Sequence, residues 1–569
     1  YKPQRKHHDL DSEGSGCVQR PRLRLERQLK ECTARCYKKD NIPSCVSCAE
    51  HWPQDTCRFQ HIRFFLRKES GELYGFHFQQ YDPIPGDFEW RDQWNTPLDE
   101  SHINETQKTI AAALLPPLRE ELKDINSLPV IFKTREAAVC VTCADTCLTS
   151  IFTGSWTCRF CGREACADCF QKIKTLSIDS EESHGFPASQ HHARNFGRTT
   201  SFKREELREC ITQMEHILST PSARALPLET TSTLCQAPET TDFEDGAVPF
   251  HNILKLTNGS LTKERFRRVW SWGKPFLVTD VGSQLTLPWT PTFFVEEYGG
   301  SECDIIECQT NETRPTNVAD FFNTFGQYTD REGCWKLKDW PPANDFKETF
   351  PELYADFSQA SPMPDYTHRD GVLNLASHFP LNAVAPDLGP KMYNAHANLQ
   401  ESHCLGSTRL HMDMADAVNL MAYAAPDPHG NPGCAAWDLF EADASESIRV
   451  FIREEFGIQS EDPIHGQQVY LDDGARNRLY QRYGVKSYRV YQTAGQAVFI
   501  PAGCAHQVRN LADCIKVAID FVSPENIRRC EQLTREFREQ NNTEAWKEDV
   551  LQLRTMMWFA WQSCTRQRK

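Results

Sequence analysis

Two imidazoles and one carboxylate stand out by type and spacing. His411 and Asp413 lie two apart in Arg409-Leu410-His411-Met412-Asp413, a stretch that reads as a β-strand, so both side chains point to one face. His506 follows Pro501-Ala502-Gly503, a tight turn that ends the strand-like Ala497-Val498-Phe499-Ile500. Two histidines and one carboxylate on one face of a small barrel form a facial triad that holds ferrous iron and leaves open positions for oxygen and a co-substrate. A His-x-Asp pair alone is a weak signal, usual in turns and on surfaces. The Gly/Pro-spaced distal histidine is what sharpens it.

The elements that must position these groups lie in the last 320 or so residues. Leu261 to Trp272 reads as a helix with Thr262 as N-cap, and Lys274 to Val281 as a buried strand. Trp-, Phe- and Pro-rich text through Pro342 supplies core, and short strands alternate with turns from the iron strand to Asp520-Phe521-Val522. That pattern predicts an antiparallel barrel or double-stranded β-helix, a jelly roll, with helices around it. Arg529 to Gln540 and Glu544 to Phe559 close the chain as helices.

Upstream, thirteen of the 24 cysteines precede Phe170, most in Cys-x-x-Cys-like spacings. Without a secretory pattern this reads as zinc rather than disulfide. The sharper set is Cys140, Cys143, Cys158, Cys161, Cys166 and Cys169, three knuckles that each aim two thiolates at one ion. Cys147, His184, His191 or His192 are available to complete a second site. The looser set is Cys32, Cys36, Cys45, Cys48 and Cys57 with His61, of which four would close one tetrahedral site; spacing does not choose among them, and Cys17 is a further candidate. A closed four-ligand site contributes folding energy and does no chemistry, so structural modules are expected here in preference to readers of histone tails or DNA.

The expected organisation is a polar, disordered lead-in at 1–16, a cysteine-rich zinc-binding region at 17–130 and a zinc finger at 131–180. A linker with one helix follows at 181–246, then a catalytic domain at 247–540 and a C-terminal helix at 541–569. Within it, Arg22 to Lys30 reads as helix, Ile62–Leu66 with Gly71–Phe76 as a hairpin, and Glu105 to Leu122 as a helix broken by Pro116-Pro117. The overall class is α+β. No apolar run reaches the roughly 18 residues of a membrane helix. The net charge of −15 argues against wrapping nucleic acid and suits a basic peptide partner. The chain starts at Tyr1 without an initiator Met, and a fragment of a longer protein is expected.

Several stretches together carry a family resemblance. They are Lys338-Asp339-Trp340-Pro341-Pro342, Arg369-Asp370-Gly371, Asp387 to Asn394, the iron strand, and Phe499 to Gly503 with His506-Gln507-Val508 through Glu525. This text resembles the jumonji-C domain and, more narrowly, the lysine demethylase 3 subfamily, whose members also carry a cysteine-rich module upstream. The resemblance implies a cupin-like, nuclear 2-oxoglutarate oxygenase that removes methyl groups from mono- and dimethylated lysine nine of histone H3. Fe(II), 2-oxoglutarate, O2 and zinc are the implied cofactors. The histone H3 tail and chromatin and transcription-regulatory complexes are the expected partners, with DNA contact through the zinc modules as an alternative to their structural role.

By the same likeness His411, Asp413 and His506 take the iron, and Thr408 stands where relatives place a hydroxyl for the far carboxylate of 2-oxoglutarate. Many jumonji proteins place the matching cation on a lysine two residues before a tryptophan, but here Ala435 stands before Ala436-Trp437. Lys516, ten after His506, is close to where the wider superfamily puts an Arg or Lys, and is the expected anchor. Asn419, Tyr423 and Trp437 are candidate pocket walls. Asp416 is either an orienting group or a solvated turn residue, and Tyr393 and Asn394 are candidates for the methyl-lysine channel. A protein hydroxylase of the same class and a zinc-finger chromatin scaffold are the competing readings.

Overall fold

The computed structural model describes residues 22–37, 40, 42–50, 57–78, 87–133, 144–145, 147–181, 192–220, 248–329, 331–338, 340–341, 345–399, 406–459, 462–543, 549 and 551–568. Cys17, Cys140, Cys143, His184 and His191, the 1–16 lead-in and most of the expected linker lie outside them. The chain forms two compact units, one from Tyr1–Pro83, Pro129–Lys133 and Ser155–Ser201, the other from Ile84–Leu128, Thr134–Gly154 and Phe202–Lys569.

In the first unit, strands β1 (Leu23–Arg27), β2 (Arg63–Lys68) and β3 (Leu73–Phe78) form an antiparallel sheet in that order. The expected hairpin is therefore present as β2 and β3. The expected helix over Arg22 to Lys30 is instead β1, paired residue for residue with β2 from Leu23 opposite Lys68 to Arg27 opposite Phe64. Alternating Leu and Arg satisfies a two-residue period, and an available strand edge decides for it. A second sheet runs β4 (Val130–Phe132), β7 (Phe196–Thr200), β5 (Ser155–Cys158), β6 (Glu164–Ala165). β7 falls in the stretch read as linker, yet it is buried along its length and central in this sheet.

The strands of the second unit are β8 (Phe250–His251), β9 (Leu254–Thr257), β10 (Phe276–Thr279), β11 (Glu302–Glu307), β12 (Thr313–Asn317), β13 (Trp335–Lys338) and β14 (Lys391–Ala395). They continue as β15 (Thr408–His411), β16 (Asp416–Ala424), β17 (Cys434–Leu439), β18 (Ser487–Thr493), β19 (Ala497–Ile500), β20 (His506–Asn510) and β21 (Cys514–Phe521). A nine-stranded sheet runs β12-β11-β13-β14-β21-β16-β19-β10-β9, and a five-stranded one β15-β20-β17-β18-β8. This is the jelly roll that the alternating strands predict.

The two-residue period of β21 shows what organises it. Ile515, Val517, Ile519 and Phe521 turn to a core with Val418, Leu420, Phe276 and Phe499, whose rings stack 4.8 Å apart. The helix Lys263–Ser271 closes that core with Phe266 and Trp270, and is capped by Thr262 as predicted. The alternate residues Cys514, Lys516, Ala518 and Asp520 share a face with Met421, Asn419 and Ala417. That inner face, with Trp437, Leu439, Val498, Ile500 and Val508, lines the barrel.

Glu100–Ser127 is one continuous helix despite Pro116 and Pro117. The prolines leave the carbonyls of Ala112 and Ala113 without intrahelical donors, but Ala112 and Pro116 face solvent. Burial of Ile110, Ala111, Leu114, Leu115 and Leu118 on the other side, against Arg204–Ser219 and Leu553–Gln567, keeps the helix whole. Its segment clusters with the barrel, outside the cysteine-rich unit.

Glu105 of this helix pairs with Arg267, beside the buried Glu525. The Tyr366 hydroxyl donates to Glu525 Oε1 at 3.0 Å, and Oε2 is buried without a hydrogen-bond partner among the described residues. Burial first, then the Glu105 charge, push Glu525 from 4.5 up to about 7. The folded state thus holds a proton that the unfolded chain releases, so stability is fully present below about pH 4.5 and falls as pH rises towards 7. At roughly 1.4 kcal/mol per pH unit the loss is about 3 kcal/mol. Glu525→Gln should raise the unfolding midpoint at pH 8 and match wild type at pH 4.5; urea titrations at both pH values check it, and equal midpoints at pH 8 would refute it.

Candidate metal centre and co-substrate pocket

His411 ends β15 directly opposite His506, the first residue of β20, so the ladder itself brings the two rings to 4.1 Å. Asp413 lies just past the strand, in the following turn, with Oδ1 3.8 Å from His411 Nε2 and Oδ2 3.6 Å from His506 Nε2. The nearest ligand atoms of the three residues all fall within 4.8 Å of one another. His411 Nδ1 donates to the Arg409 carbonyl at 2.8 Å and His506 Nδ1 to the Cys504 carbonyl at 3.0 Å. A carbonyl only accepts, so each Nδ1 carries the proton and each Nε2 presents a lone pair to the Asp413 side. Burial holds both imidazoles down to about 4, neutral at physiological pH. Two neutral imidazole nitrogens and one carboxylate on one side of the site fit a ferrous ion.

Asp416 braces the turn before His506. Its carboxylate is fully buried and accepts from the Ala502 amide at 2.9 Å, the Ser523 amide at 3.2 Å, the Ser523 hydroxyl at 2.5 Å and Asn526 Nδ2 at 2.7 Å. Its burial excludes the solvated turn residue, and its hydrogen bonds fit the orienting reading. It ties β16 to the Pro501-Ala502-Gly503 turn and to the end of β21.

Deeper in the barrel, Lys516 is 4% exposed. Its Nζ donates to Asn510 Oδ1 at 2.7 Å and lies 5.5 Å from the centre of the Trp437 ring, and no carboxylate among the described residues pairs with it. Burial pulls its ammonium below the usual lysine range. Ala435, at the position where many jumonji proteins carry a lysine, faces Asn510 across the β17–β20 ladder. The ammonium reaching Asn510 therefore comes from the facing sheet.

Asn419 shares the inner face of β16, 7% exposed, with its Oδ1 buried and without a hydrogen-bond partner among the described residues. Trp437 lies between His506 and Lys516, its ring 6.0 Å from that of His506, and donates to Gln492 Oε1 at 2.9 Å. Thr408 opens β15 opposite Val508 on the same ladder. Tyr393 stands opposite Lys516 and is 47% exposed, whereas Asn394 pairs with Ile515 on the other face.

Sequence reasoning passed over Asp520, four residues after Lys516 and so on the same inward face. Burial first, then the charge of Asp413, push its carboxyl up to about 8, with Lys391 opposing. The strand period applied to Lys516 would have found it.

In the first unit the loose cysteine set resolves into four members. Cys32, Cys45, Cys48 and Cys57 bring their sulfurs within 4.8 Å of one another. Cys36 is exposed and outside this group, and His61 is exposed with a left-handed backbone, φ 66°. Of the sharper set, Cys158 closes β5, and its thiol pushes that of Cys161 upward; Cys166 and Cys169 are buried at the start of a helix.

Residues 402–521 match the family model "JmjC domain, hydroxylase". The chain is 40% identical over 342 residues to "Lysine-specific demethylase 3A" of Rattus norvegicus, covering 52% of this chain and 28% of that protein. It is 38% identical over 359 residues to "Lysine-specific demethylase 3" of Drosophila melanogaster, at 55% and 42% coverage. To "Probable JmjC domain-containing histone demethylation protein 2C" of Homo sapiens it is 30% identical over 352 residues, at 54% and 14%. The chain thus spans less than half the length of these relatives. Residues 402–521 thus carry a JmjC domain, set in a jelly roll with its His-Asp-His group, and about half of the chain is similar to the lysine-specific demethylase 3 proteins.

Proposed function

We propose that this chain is an Fe(II)- and 2-oxoglutarate-dependent dioxygenase that removes methyl groups from mono- and dimethyl-lysine nine of histone H3, in the nucleus and within chromatin-regulatory assemblies. The observation that carries the chemistry is the convergence of His411 Nε2, His506 Nε2 and the Asp413 carboxylate on one point. The lysine nine substrate and the chromatin setting rest on the likeness to the demethylase 3 proteins.

His411, Asp413 and His506 would hold the iron, which with O2 and 2-oxoglutarate supplies the oxidant for a methyl C–H bond. The backbone carbonyls of Arg409 and Cys504 keep the ligand nitrogens aimed inward. Lys516 takes the far carboxylate of 2-oxoglutarate, with Thr408 and Asn419 offering further polar contacts and Trp437 forming the wall between anchor and metal. The hydroxylated methyl-lysine then collapses to formaldehyde and the lysine with one methyl fewer. The cysteine modules hold zinc as structure.

Mass spectrometry of methylated H3 peptides incubated with the chain, iron, ascorbate and 2-oxoglutarate tests this. Loss of methyl groups with formaldehyde release is the expected result. Succinate produced without formaldehyde, on a peptide that gains oxygen, would make the protein a hydroxylase instead.

A further inference from the structure

We infer that Cys32, Cys45, Cys48 and Cys57 hold one zinc ion as four thiolates, with Arg63 as the buried counter-charge of that centre. Sulfur spacing is the first support. Cys32 and Cys57 sulfurs lie 3.5 Å apart and those of Cys45 and Cys57 4.0 Å apart. Tetrahedral Zn–S bonds of about 2.3 Å require about 3.8 Å between sulfurs. These are too far apart for a disulfide, whose sulfurs stand about 2.05 Å apart.

Arg63 gives an independent reason to read the sulfurs as ionised. Its side chain is 1% exposed, its Nε donates to Gln28 Oε1 at 2.6 Å and its Nη1 to the Pro43 carbonyl at 2.8 Å. Nη2 points at Cys32 Sγ, 3.4 Å away, while the guanidinium stacks over Phe59 at 4.4 Å and Phe76 at 5.0 Å. No carboxylate among the described residues pairs with it. A buried guanidinium without an anion is costly, and the cysteine sulfurs are the groups able to supply one. Four thiolates this close repel one another unless a cation sits among them. A zinc tetrathiolate carries two net negative charges, and Arg63 offsets one of them.

The remaining donors aim at sulfur in the same way. Gln28 Nε2 lies 3.6 Å from both Cys32 and Cys57 Sγ, the Cys45 amide 3.4 Å from Cys32 Sγ, and the Arg58 amide 3.4 Å from Cys45 Sγ. N–H groups directed at thiolate sulfur orient metal ligands and spread their charge. The site is also clamped to the next cysteine set: the Val46 amide donates to the Cys161 carbonyl at 2.7 Å. A Cβ at Gly162, whose φ is +74°, would come within 2.7 Å of Arg58 Cβ and 3.2 Å of Cys45 Cβ. The two cysteine sets are therefore parts of one module, and Gly162 permits their close approach.

Native alkylation of the full chain followed by peptide mass mapping tests the ligand set without any variant. Cys36 should label at once, while Cys32, Cys45, Cys48 and Cys57 should label only after a zinc chelator is added. Metal analysis should show Cys48→Ser short of one zinc per chain and Cys36→Ser unchanged. Arg63→Met should keep the zinc but release it to chelator at least tenfold faster. Immediate labelling of the four cysteines, iron in place of zinc, protection that only a reductant removes, or equal zinc in Cys48→Ser and wild type would each overturn the site. Unchanged release from Arg63→Met would overturn the counter-charge.

Discussion

Lys516→Met is expected to raise the 2-oxoglutarate concentration for half-maximal turnover about a hundredfold while iron content stays that of the wild type. A buried charge that loses its partner costs roughly 2 to 5 kcal/mol, and about 3 kcal/mol corresponds to that factor. The ammonium donates to Asn510 and lies near the Trp437 ring, with no carboxylate among the described residues to neutralise it. Its charged form is therefore disfavoured in the folded, co-substrate-free protein, a penalty felt below its lowered pKa and relieved as pH rises through it. A dicarboxylate entering the barrel removes the same penalty at neutral pH.

Thermal unfolding gives the second readout for Lys516→Met: 2-oxoglutarate should raise the wild-type midpoint and leave the variant's unmoved. Methionine keeps the volume of the lysine stem, so a collapse of the barrel is not expected. If iron disappears together with 2-oxoglutarate response, the substitution has disturbed the metal ligands. If the 2-oxoglutarate requirement moves less than threefold, Lys516 is not the anchor.

Lys516 is legible through the family likeness, which puts an Arg or Lys about ten residues after the second histidine, and the two-residue period of β21, shared by its neighbours, carries its side chain inward. Period and turn chemistry are local properties, and the barrel interior follows from them. What was not legible depended on partners distant in sequence. Arg22 to Lys30 becomes a strand because β2 lies 40 residues on. Phe196 to Thr200 becomes one because β4 and β5 flank it.

Pro116-Pro117 stays helical because the opposite face of that helix is buried. Equally, spacing offered Cys36 as readily as Cys48, and only the path of the chain between β1 and β2 turns Cys36 outward. The two readings of Asp416 stay open in the sequence because its four donors come from Ala502, Ser523 and Asn526, more than 80 residues away.

Asp413→Ala should remove bound iron and lower turnover on the order of a thousandfold or more, about 4 kcal/mol in barrier terms. The interior holds two carboxylates that a sequence reader or an ion could choose between, and the geometry separates them. Asp413 faces both ligand nitrogens, at 3.8 Å from His411 Nε2 and 3.6 Å from His506 Nε2. No contact with either ring is found for Asp520 among the described residues; it meets Asp413 through space, and burial with that neighbouring charge drives it towards its protonated form, up to about 8. Burial raises Asp413 as well, so position and not protonation separates the two: of this pair it is Asp413 that lies between the two bare imidazole nitrogens, where an arriving cation stabilises its carboxylate. Asp520→Asn should therefore retain iron at the wild-type level. Metal analysis of the two variants side by side decides the matter: iron lost from Asp520→Asn and kept by Asp413→Ala would reverse the assignment of the carboxylate ligand.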